Sequence, residues 1–263
     1  MRLAFWRRDR RVPVIELHGL IAARMGQLNL AGTTQRIEAA FAAAKGRPVV
    51  LDIDSPGGSP VQSDLIASAI RRRADRARIE VHAVIQDVGA SGGYWIACAA
   101  DRIWANPMSI VGSIGVRGGG FGFPQLLQRL GVERRLYTAG VHKARLDPFL
   151  PEDPDDVAFT QRLLDDLHAR FKGWVEERRG ARLTDPASVF DGSFMLADRG
   201  KALGLIDGFG DVESVVREIG GDKAKPRWFR PKPRGLLRRI PGLAADALLD
   251  AIEERRWHIS LLP

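Results

Sequence analysis

Cysteine is almost absent from this chain of 263 residues, which holds only Cys98. A single cysteine cannot form an internal disulfide, and it cannot complete the Cys/His clusters that bind structural zinc. The five histidines do not follow one another at the spacing of metal ligands: His18, His82, His142, His168 and His258. The sequence therefore predicts no metal site and no cofactor, and Cys98 is expected to be a small buried residue.

Long apolar runs are absent as well. No segment approaches the roughly 18–20 apolar residues that are needed to cross a bilayer. Residues 1–11 contain no apolar stretch of signal-peptide length. With 45% hydrophobic residues the composition is that of a soluble globular protein. We therefore expect a cytoplasmic protein without a transmembrane segment or a signal peptide.

Basic residues are in excess only at the two ends of the chain. Residues 1–11 hold five arginines and one aspartate, and residues 223–263 hold ten basic and four acidic residues. These ends contribute +4 and +6 to the formal net charge of +8, which leaves residues 12–222 at −2. Nucleic-acid binding requires a basic face on the folded domain, so we expect no nucleic-acid partner.

Short runs rich in valine and isoleucine alternate with helical patterns along the body of the chain. The apolar runs are Val12–Leu17, Val49–Ile53 and Val81–Ile85, and the helical patterns are Thr33–Ala44, Ser59–Arg73 and Gly92–Ala100. Apolar runs of this length are typical of buried parallel strands. Their alternation with helices predicts βαβ units and an α/β fold. Acidic residues at the start of Pro151–Arg179 and arginines at its end predict a long helix.

The composition divides the chain into three parts: a basic segment (1–11), one folded domain (12–222) and a basic extension (223–263). Prolines interrupt Lys223–Arg234, which excludes a regular helix or a central strand there. Leu243–Trp257 carries an apolar helical stripe. The basic residues, with Trp228 and Phe229 among them, favour peripheral contact with an anionic membrane surface.

Two glycine-rich turns carry the chemically most informative residues. Ser91 follows the third apolar run, and Ser55–Gly58 follows the second. A serine before a helix is commonly a cap, but neighbouring glycines let backbone N–H groups face a ligand. Lys143 supplies an amine farther along the chain. A nucleophile, a base and N–H donors are the groups that acyl transfer requires.

Four motifs, in this order, resemble the signal peptide peptidase A family of Ser–Lys serine proteases. They are Ser-Pro-Gly-Gly at Ser55–Gly58, Ala-Ser-Gly-Gly-Tyr at Ala90–Tyr94, Gly-Ser-Ile-Gly-Val at Gly112–Val116 and Gly-x-x-Lys at Gly140–Lys143. The resemblance extends from Val12 to Asp211. Asp54 stands where family members commonly have asparagine, and Val111 stands where many have threonine.

The resemblance implies a ClpP- or crotonase-like spiral of βαβ units and a serine endopeptidase. It implies Ser91 as nucleophile and Lys143 as general base. The expected substrates are peptides, such as signal-peptide remnants or unfolded segments. Because the chain has one copy of each motif, the resemblance also implies a homo-oligomer whose sites lie near protomer interfaces. The dyad is then formed either within one chain or between two.

The oxyanion hole is expected to combine the backbone N–H groups of Gly58 and Ser91, with Gly57 as the alternative to Gly58. Ser109 and Ser113 flank the turn at Gly112, where they could hydrogen-bond the lysine amine or serve as ordinary turn residues.

A lysine base must be neutral to accept the proton of the serine. The pKa of free lysine is about 10.4, and lowering it by roughly three units requires about 4 kcal/mol. Burial against apolar groups provides this, whereas a paired carboxylate keeps the amine charged. We therefore predict that Asp147, close to Lys143 in the sequence, points elsewhere.

Three other interpretations compete with the Ser–Lys peptidase. A Ser-His-Asp triad would use His142, which adjoins Lys143 in the sequence. An acyl-CoA hydratase or isomerase would use a similar oxyanion hole but needs a carboxylate as its acid or base. A non-catalytic scaffold would hold partners at membranes through the basic ends, without using Ser91 or Lys143.

Overall fold

The computed structural model describes residues 10–231. Residues 1–9 and 232–263, including the predicted helix Leu243–Trp257, lie outside the described residues. The strands are β1 (Arg11–His18), β2 (Val49–Ser55), β3 (Val81–Ala90), β4 (Arg102–Ala105), β5 (Ile110–Gly112), β6 (Phe194–Leu196), β7 (Gly208–Phe209) and β8 (Lys225–Phe229).

These strands form one eight-stranded sheet in the order β6-β5-β3-β2-β1-β8, and β4 pairs with β3 and β7 beside this path. All pairs are parallel except β5 with β6. The predicted α/β architecture with buried parallel strands is confirmed. The sheet is larger than predicted because short strands such as β7, with two residues, have no hydrophobic pattern of their own.

The helices are α1 (Leu30–Ala44), α2 (Pro60–Ala77), α3 (Gly92–Ala97), α4 (Pro124–Arg129), α5 (Pro154–Arg179), α6 (Pro186–Val189), α7 (Ala197–Ala202) and α8 (Val212–Gly220), with a 3-10 turn at Gly180–Arg182. The predicted long helix is confirmed as α5. Asp153 caps it by accepting the N–H of Asp155 at 2.8 Å. No helix within residues 10–231 is long and apolar enough to cross a membrane.

The central strands bury side chains on both faces of the sheet. On one face, residues such as Ile15, Leu51 and Ile85 join the main core, which includes buried residues of α1, α2 and α3. On the other face, Val12, Val14, Val50, Val84 and Trp104 pack with α8. Side chains alternate along a strand, so these residues share the second face. The nine-residue α8 covers this face only toward the beginning of β1 and β2.

The sheet continues beyond the predicted domain boundary at residue 222. β8 lies at the sheet edge, where it pairs with β1 from Arg11↔Lys225 to Ile15↔Phe229. An edge strand tolerates Pro226 because its outer side needs no hydrogen-bond donors. Trp228 packs on the α8 side of the sheet and Phe229 on the main core. The folded domain therefore includes these two aromatic residues, which the sequence analysis had assigned to a membrane-binding extension.

Residues 118–163, here called the arm, contain no buried residue. Many of their apolar side chains face solvent, and Phe121, Tyr137 and Val141 are exposed by 83%, 90% and 93%. The arm makes apolar contacts within itself, for example between the rings of Phe123 and Phe149, whose centroids are 5.8 Å apart. An apolar segment that buries nothing within its own chain is typical of an association surface.

Candidate active site

Ser91 lies at the junction of β3 and α3 in a strained backbone conformation. Its φ is 51° and its ψ is −121°, and such conformations cost a non-glycine residue about 1–3 kcal/mol. Its side chain caps no N–H of α3, so the simple capping role does not apply. Within residues 10–231 its hydroxyl forms no hydrogen bond. Strained strand-to-helix turns of this kind present a nucleophilic hydroxyl in α/β-hydrolases.

The Ser55–Gly58 turn packs directly against Ser91. A Cβ on Gly57 would lie 2.8 Å from the Cβ of Ser91 and 2.7 Å from the nitrogen of Gly92. A Cβ on Gly93 would lie 2.4 Å from the carbonyl oxygen of Ser55. Only glycine permits such close approach. The two glycine-rich turns, far apart in the sequence, therefore form one site.

The N–H groups at this site differ from the predicted oxyanion pair. The Ser91 N–H donates to the carbonyl oxygen of Gly112 at 2.9 Å, which extends the pairing of β3 with β5 and removes Ser91 as a donor to substrate. The alternative, the Gly57 N–H, donates to the Ser55 hydroxyl at 3.2 Å. In the described part of the chain, the N–H groups of Gly58 and Gly92 have no partner. Gly92 is the first residue of α3, so its N–H has no acceptor in the helix.

Two buried serines that the sequence analysis did not single out support this arrangement. The Ser55 hydroxyl donates to the carbonyl oxygen of Gly19 at 2.8 Å while it accepts the Gly57 N–H. A Cβ on Gly92 would lie 2.3 Å from the Ser63 hydroxyl oxygen, so α2 contacts the site directly. Ser55 begins the Ser-Pro-Gly-Gly motif, but its hydroxyl bonds to Gly19, which is distant in the sequence, and no local motif distinguishes Ser63 from an ordinary serine.

The two serines proposed to support the dyad have different surroundings. Ser109 is buried, and its hydroxyl donates to the Gln86 carbonyl and accepts the Asn106 N–H at 3.1 Å. It therefore holds a turn. Ser113 is half-buried at a φ of 53° and directly follows Gly112. The Ser113 hydroxyl has no partner among residues 10–231, so only Ser113 has a hydroxyl available to a lysine amine.

Lys143 lies in the arm, and no hydrogen bond joins it to Ser91 within the described residues. Its side chain is exposed and forms no hydrogen bond or ion pair with the described residues. Asp147 instead pairs with Arg134, with 2.9 Å between Oδ2 and Nη2. The Phe149 N–H and Arg134 hold the pKa of Asp147 below its usual value. The prediction that Asp147 points away from Lys143 is confirmed.

The surroundings of the histidines do not support a histidine base for Ser91, and those of Cys98 do not support a reactive thiol. His18, His82 and His168 hydrogen-bond to groups other than Ser91, and His142 is exposed in the arm. Burial raises the pKa of the Cys98 thiol to about 12, which keeps it protonated and unreactive at neutral pH. The predicted buried cysteine is confirmed.

A buried ion pair holds the segment behind the site. Arg179 donates to both carboxylate oxygens of Asp207, at 2.8 and 3.1 Å. Just before Asp207, the carbonyl oxygen of Leu205 accepts the Tyr94 hydroxyl of α3 at 2.7 Å. The side chain of Leu205 reaches within 3.7 Å of the Cβ position of Gly112. This segment therefore links α3 to the carbonyl group that accepts the Ser91 N–H.

Comparison with known sequences places this site in a family. The chain is 46% identical over 241 residues to the Na(+)/H(+) antiporter NhaA of Brucella abortus (strain 2308), a match that covers 90% of this chain and 33% of that protein. It is 30% identical over 201 residues to "Putative protease slr0021" of Synechocystis sp., covering 74% of this chain and 71% of that protein.

A third relative is "Putative signal peptide peptidase SppA" of Enterococcus faecium, 28% identical over 181 residues, with 69% of this chain and 52% of that protein covered. The chain thus spans only about a third of the antiporter and about half of the SppA relative. The sequence pattern of peptidase family S49 matches residues 73–224, more than half of the chain. This match includes Ser91 and agrees with the resemblance of the motifs around it. The chain belongs to peptidase family S49.

Proposed function

We propose that this S49 family member is a serine endopeptidase that cleaves peptides, such as signal-peptide remnants or unfolded protein segments. Ser91 attacks the scissile carbonyl carbon and passes its proton to Lys143. Lys143 then gives this proton to the leaving amine as the peptide C–N bond breaks, and water hydrolyses the resulting acyl-enzyme. The N–H groups of Gly58 and Gly92 stabilise the oxyanion. The name of the Enterococcus relative supports the substrate class.

The conformation of Ser91 is the observation that carries this proposal. A φ of 51° at a strand-to-helix junction is a strain that a purely structural serine has no need to bear. Within residues 10–231 the hydroxyl has no hydrogen-bond partner, and the turn that carries Gly58 packs against the Ser91 side chain. No carboxylate within residues 10–231 hydrogen-bonds to Ser91.

We propose that a neighbouring protomer completes the dyad. Lys143 is exposed in the arm, where a lysine remains fully hydrated. If the arm packs on another copy of the chain, its apolar residues become buried and the Lys143 amine leaves water, which favours the neutral form. This accounts together for the exposed apolar surface of the arm and for the solvent exposure of Lys143.

The sheet supports a ClpP- or crotonase-like spiral as the finer description of the fold. The first half of β3 pairs with β4, from His82↔Arg102 to Ile85↔Ala105. The last part of β3 pairs with β5, from Val88↔Ile110 to Ala90↔Gly112. The sheet therefore divides at β3 into two branches, as a chain does when it starts a second turn of a spiral.

Substitution of the dyad tests the proposed chemistry. Ser91→Ala and Lys143→Ala should each reduce turnover of an unfolded protein substrate by about 1000-fold or more. The matched controls are Ser68→Ala, a helix residue, and Lys223→Ala, an exposed lysine outside the arm; both should keep the activity of the unsubstituted chain. If Lys143→Ala retains more than a few per cent of that activity, Lys143 is not the base.

We further propose that the enzyme acts at the inner face of a bacterial inner membrane. The similarity to a protein named as an antiporter supports this, since a peptidase segment within a transporter would lie beside a membrane. Trp228 and Phe229 belong to the sheet, so basic residues beyond residue 231 would make the contact. Co-sedimentation with anionic vesicles should decrease at high salt and on deletion of residues 232–263. Binding that ignores both changes would contradict membrane contact through this segment.

A further inference from the structure

A polar cluster lies on the sheet face that α8 covers only in part. Val14 and Val50 on that face pack with α8. Farther along the same face come Glu16 and His18 of β1 and Asp52 of β2, and Glu16 is the register partner of Asp52. These three polar residues belong to neither hydrophobic cluster, and the proposed peptidase chemistry uses none of them.

The three side chains direct their donor atoms toward one another. One nitrogen or oxygen atom from each of Glu16, His18 and Asp52 lies within 4.8 Å of the other two. The closest pair is His18 Nε2 and Asp52 Oδ2, which are 2.8 Å apart. An imidazole nitrogen and two carboxylate oxygens form a ligand set that divalent transition metals accept, with water completing the coordination.

In each of the two carboxylates, a neighbouring side chain hydrogen-bonds to one oxygen atom, and the second oxygen atom faces the cluster as a possible metal ligand. Gln86 Nε2 donates to Asp52 Oδ1 at 2.5 Å, which leaves Oδ2 facing His18. Arg230 Nε pairs with Glu16 Oε2 at 3.0 Å, and Oε1 has no partner within residues 10–231. Hydrogen bonds of this kind hold metal ligands in position in known metal sites.

The burial of the three residues suits a site that opens to solvent on one side. Asp52 is only 3% exposed, and a buried carboxylate requires a cation or hydrogen bonds. The His18 side chain is 39% exposed and borders a surface groove together with Arg36, Gln62 and Pro231. An ion could therefore reach Asp52 past His18 without unfolding of the strands.

We propose that Glu16, His18 and Asp52 bind one divalent transition metal ion, for which Zn²⁺ is the suitable probe. The ligands are Glu16 Oε1, His18 Nε2 and Asp52 Oδ2. Spacing along the sequence could not reveal this site, because its ligands alternate on one strand and meet the third ligand across a strand pair. The sequence-based expectation of no metal site considered only the single cysteine and the spacing of the histidines.

The ion would support the turn that carries the proposed oxyanion donor. Gly19 follows His18 directly, and its N–H donates to the Asp54 carbonyl oxygen at 2.8 Å. The carbonyl oxygen of Gly19 accepts the Ser55 hydroxyl, which in turn accepts the Gly57 N–H. Metal bound at His18 would therefore restrain the path from β1 to the Gly57–Gly58 turn.

Calorimetric titration of the chelator-treated full chain with Zn²⁺ tests the proposal without any activity measurement. One saturable site per chain is expected. His18→Gln and Glu16→Gln should each weaken binding about 10-fold or more. The matched controls His142→Gln and Glu152→Gln, both exposed and in the arm, should bind as the unsubstituted chain does.

Cobalt(II) provides a second readout that does not depend on affinity alone. The unsubstituted chain should give visible d–d absorption bands with Co²⁺ that are lost in His18→Gln. His18 and Glu16 are both partly exposed, so these variants are expected to fold, and circular dichroism checks this. Absence of saturable Zn²⁺ binding, or equal binding by His18→Gln and the unsubstituted chain, would overturn the metal site. It would leave His18 and Asp52 as a hydrogen-bonded pair.

Discussion

Single glycine residues determine how closely the two turns of the site can approach. Gly57 faces Ser91 and Gly92 at distances that exclude a side chain, and Gly58 packs just as closely against the loop after β1. A Cβ on Gly58 would lie 2.1 Å from the carbonyl oxygen of Ile21. Since Ser59 donates its N–H to that same oxygen at 2.7 Å, the oxygen cannot shift without loss of a hydrogen bond.

Gly58→Ala should therefore destabilise the protein, and Gly119→Ala is its matched control. Both glycines have similar φ values, 136° and 146°, but the Cβ position of Gly119 meets no atom within 4 Å. The backbone strain is thus common to both variants, and the steric clash occurs only at Gly58. We expect Gly58→Ala to lose about 2 kcal/mol more in the free energy of unfolding, measured in urea. Equal losses would show that Ile21 does not constrain this turn.

At this scale the sequence predicted the residues with a local signature and missed those whose partners are distant. Ser91 and the glycine turns stand in short motifs, so their strand-to-helix positions could be inferred. The hydrogen bond from Ser91 to Gly112 depends on the register of β3 with β5. No sequence pattern determines that register to the residue. For this reason the sequence places the Ser91 N–H in the oxyanion hole, whereas in the described part of the chain it is the Gly92 N–H that has no partner.

At the scale of secondary-structure elements, the sequence predicted the segments with a strong hydrophobic or charge pattern. It did not predict the short strands and the edge strand. The apolar runs predicted β1 and β2, and the charge order predicted α5. β3 extends to Ala90, five residues beyond its apolar run, because its last residues pair with β5 instead of packing as an aliphatic stripe. The sequence predicts a linker at β8 because its proline and basic residues lack a strand pattern. Such residues are tolerated at a sheet edge, and only the pairing with β1 identifies β8 as an edge strand.

The ion pair between α5 and the end of the domain gives a pH prediction at this scale. Burial alone would raise the pKa of Asp207, but the hydrogen bonds and charge of Arg179 outweigh burial and hold this pKa below 3.8. The unfolded chain then binds the proton more readily than the folded protein. The pair therefore contributes fully above pH 3.8, and its contribution is lost as the pH falls through the lowered pKa.

Asp207→Asn should accordingly reduce the free energy of unfolding at neutral pH by about 2–3 kcal/mol, somewhat less than the loss for a fully buried pair. The difference from the unsubstituted protein should shrink as the pH falls below 3.8. Urea unfolding across this pH range measures it, with Asp222→Asn, an exposed carboxylate, as the control. A difference that persists unchanged at the lowest pH would exclude the ion pair as its source.

At the scale of the whole molecule, the arm is the segment that we propose to complete the site of another chain. A body with a continuous core carries a segment of 118–163 in which no residue is buried. Composition alone could not reveal this, because the arm's apolar residues resemble those of a core. Its exposure becomes visible only when the positions of the strands and of the rest of α5 are known.

Mixing of two inactive variants tests whether neighbouring chains share the site. Ser91→Ala and Lys143→Ala proteins, unfolded and refolded together in equal amounts, should recover roughly a quarter of the unsubstituted activity, because each site then draws on two chains. Each variant refolded alone provides the control. No recovery in oligomers shown to contain both variants would place the dyad within one chain.

The central claim is that Ser91 is the nucleophile of a serine peptidase, and covalent labelling tests it most directly. The full chain is incubated with a fluorophosphonate, and the modified residue is identified by mass spectrometry of its peptides. We predict one label per chain on Ser91, no label on Ser91→Ala, and slower labelling of Lys143→Ala. Labelling of Ser91→Ala at the rate of the unsubstituted chain, or modification of a different serine, would contradict the account.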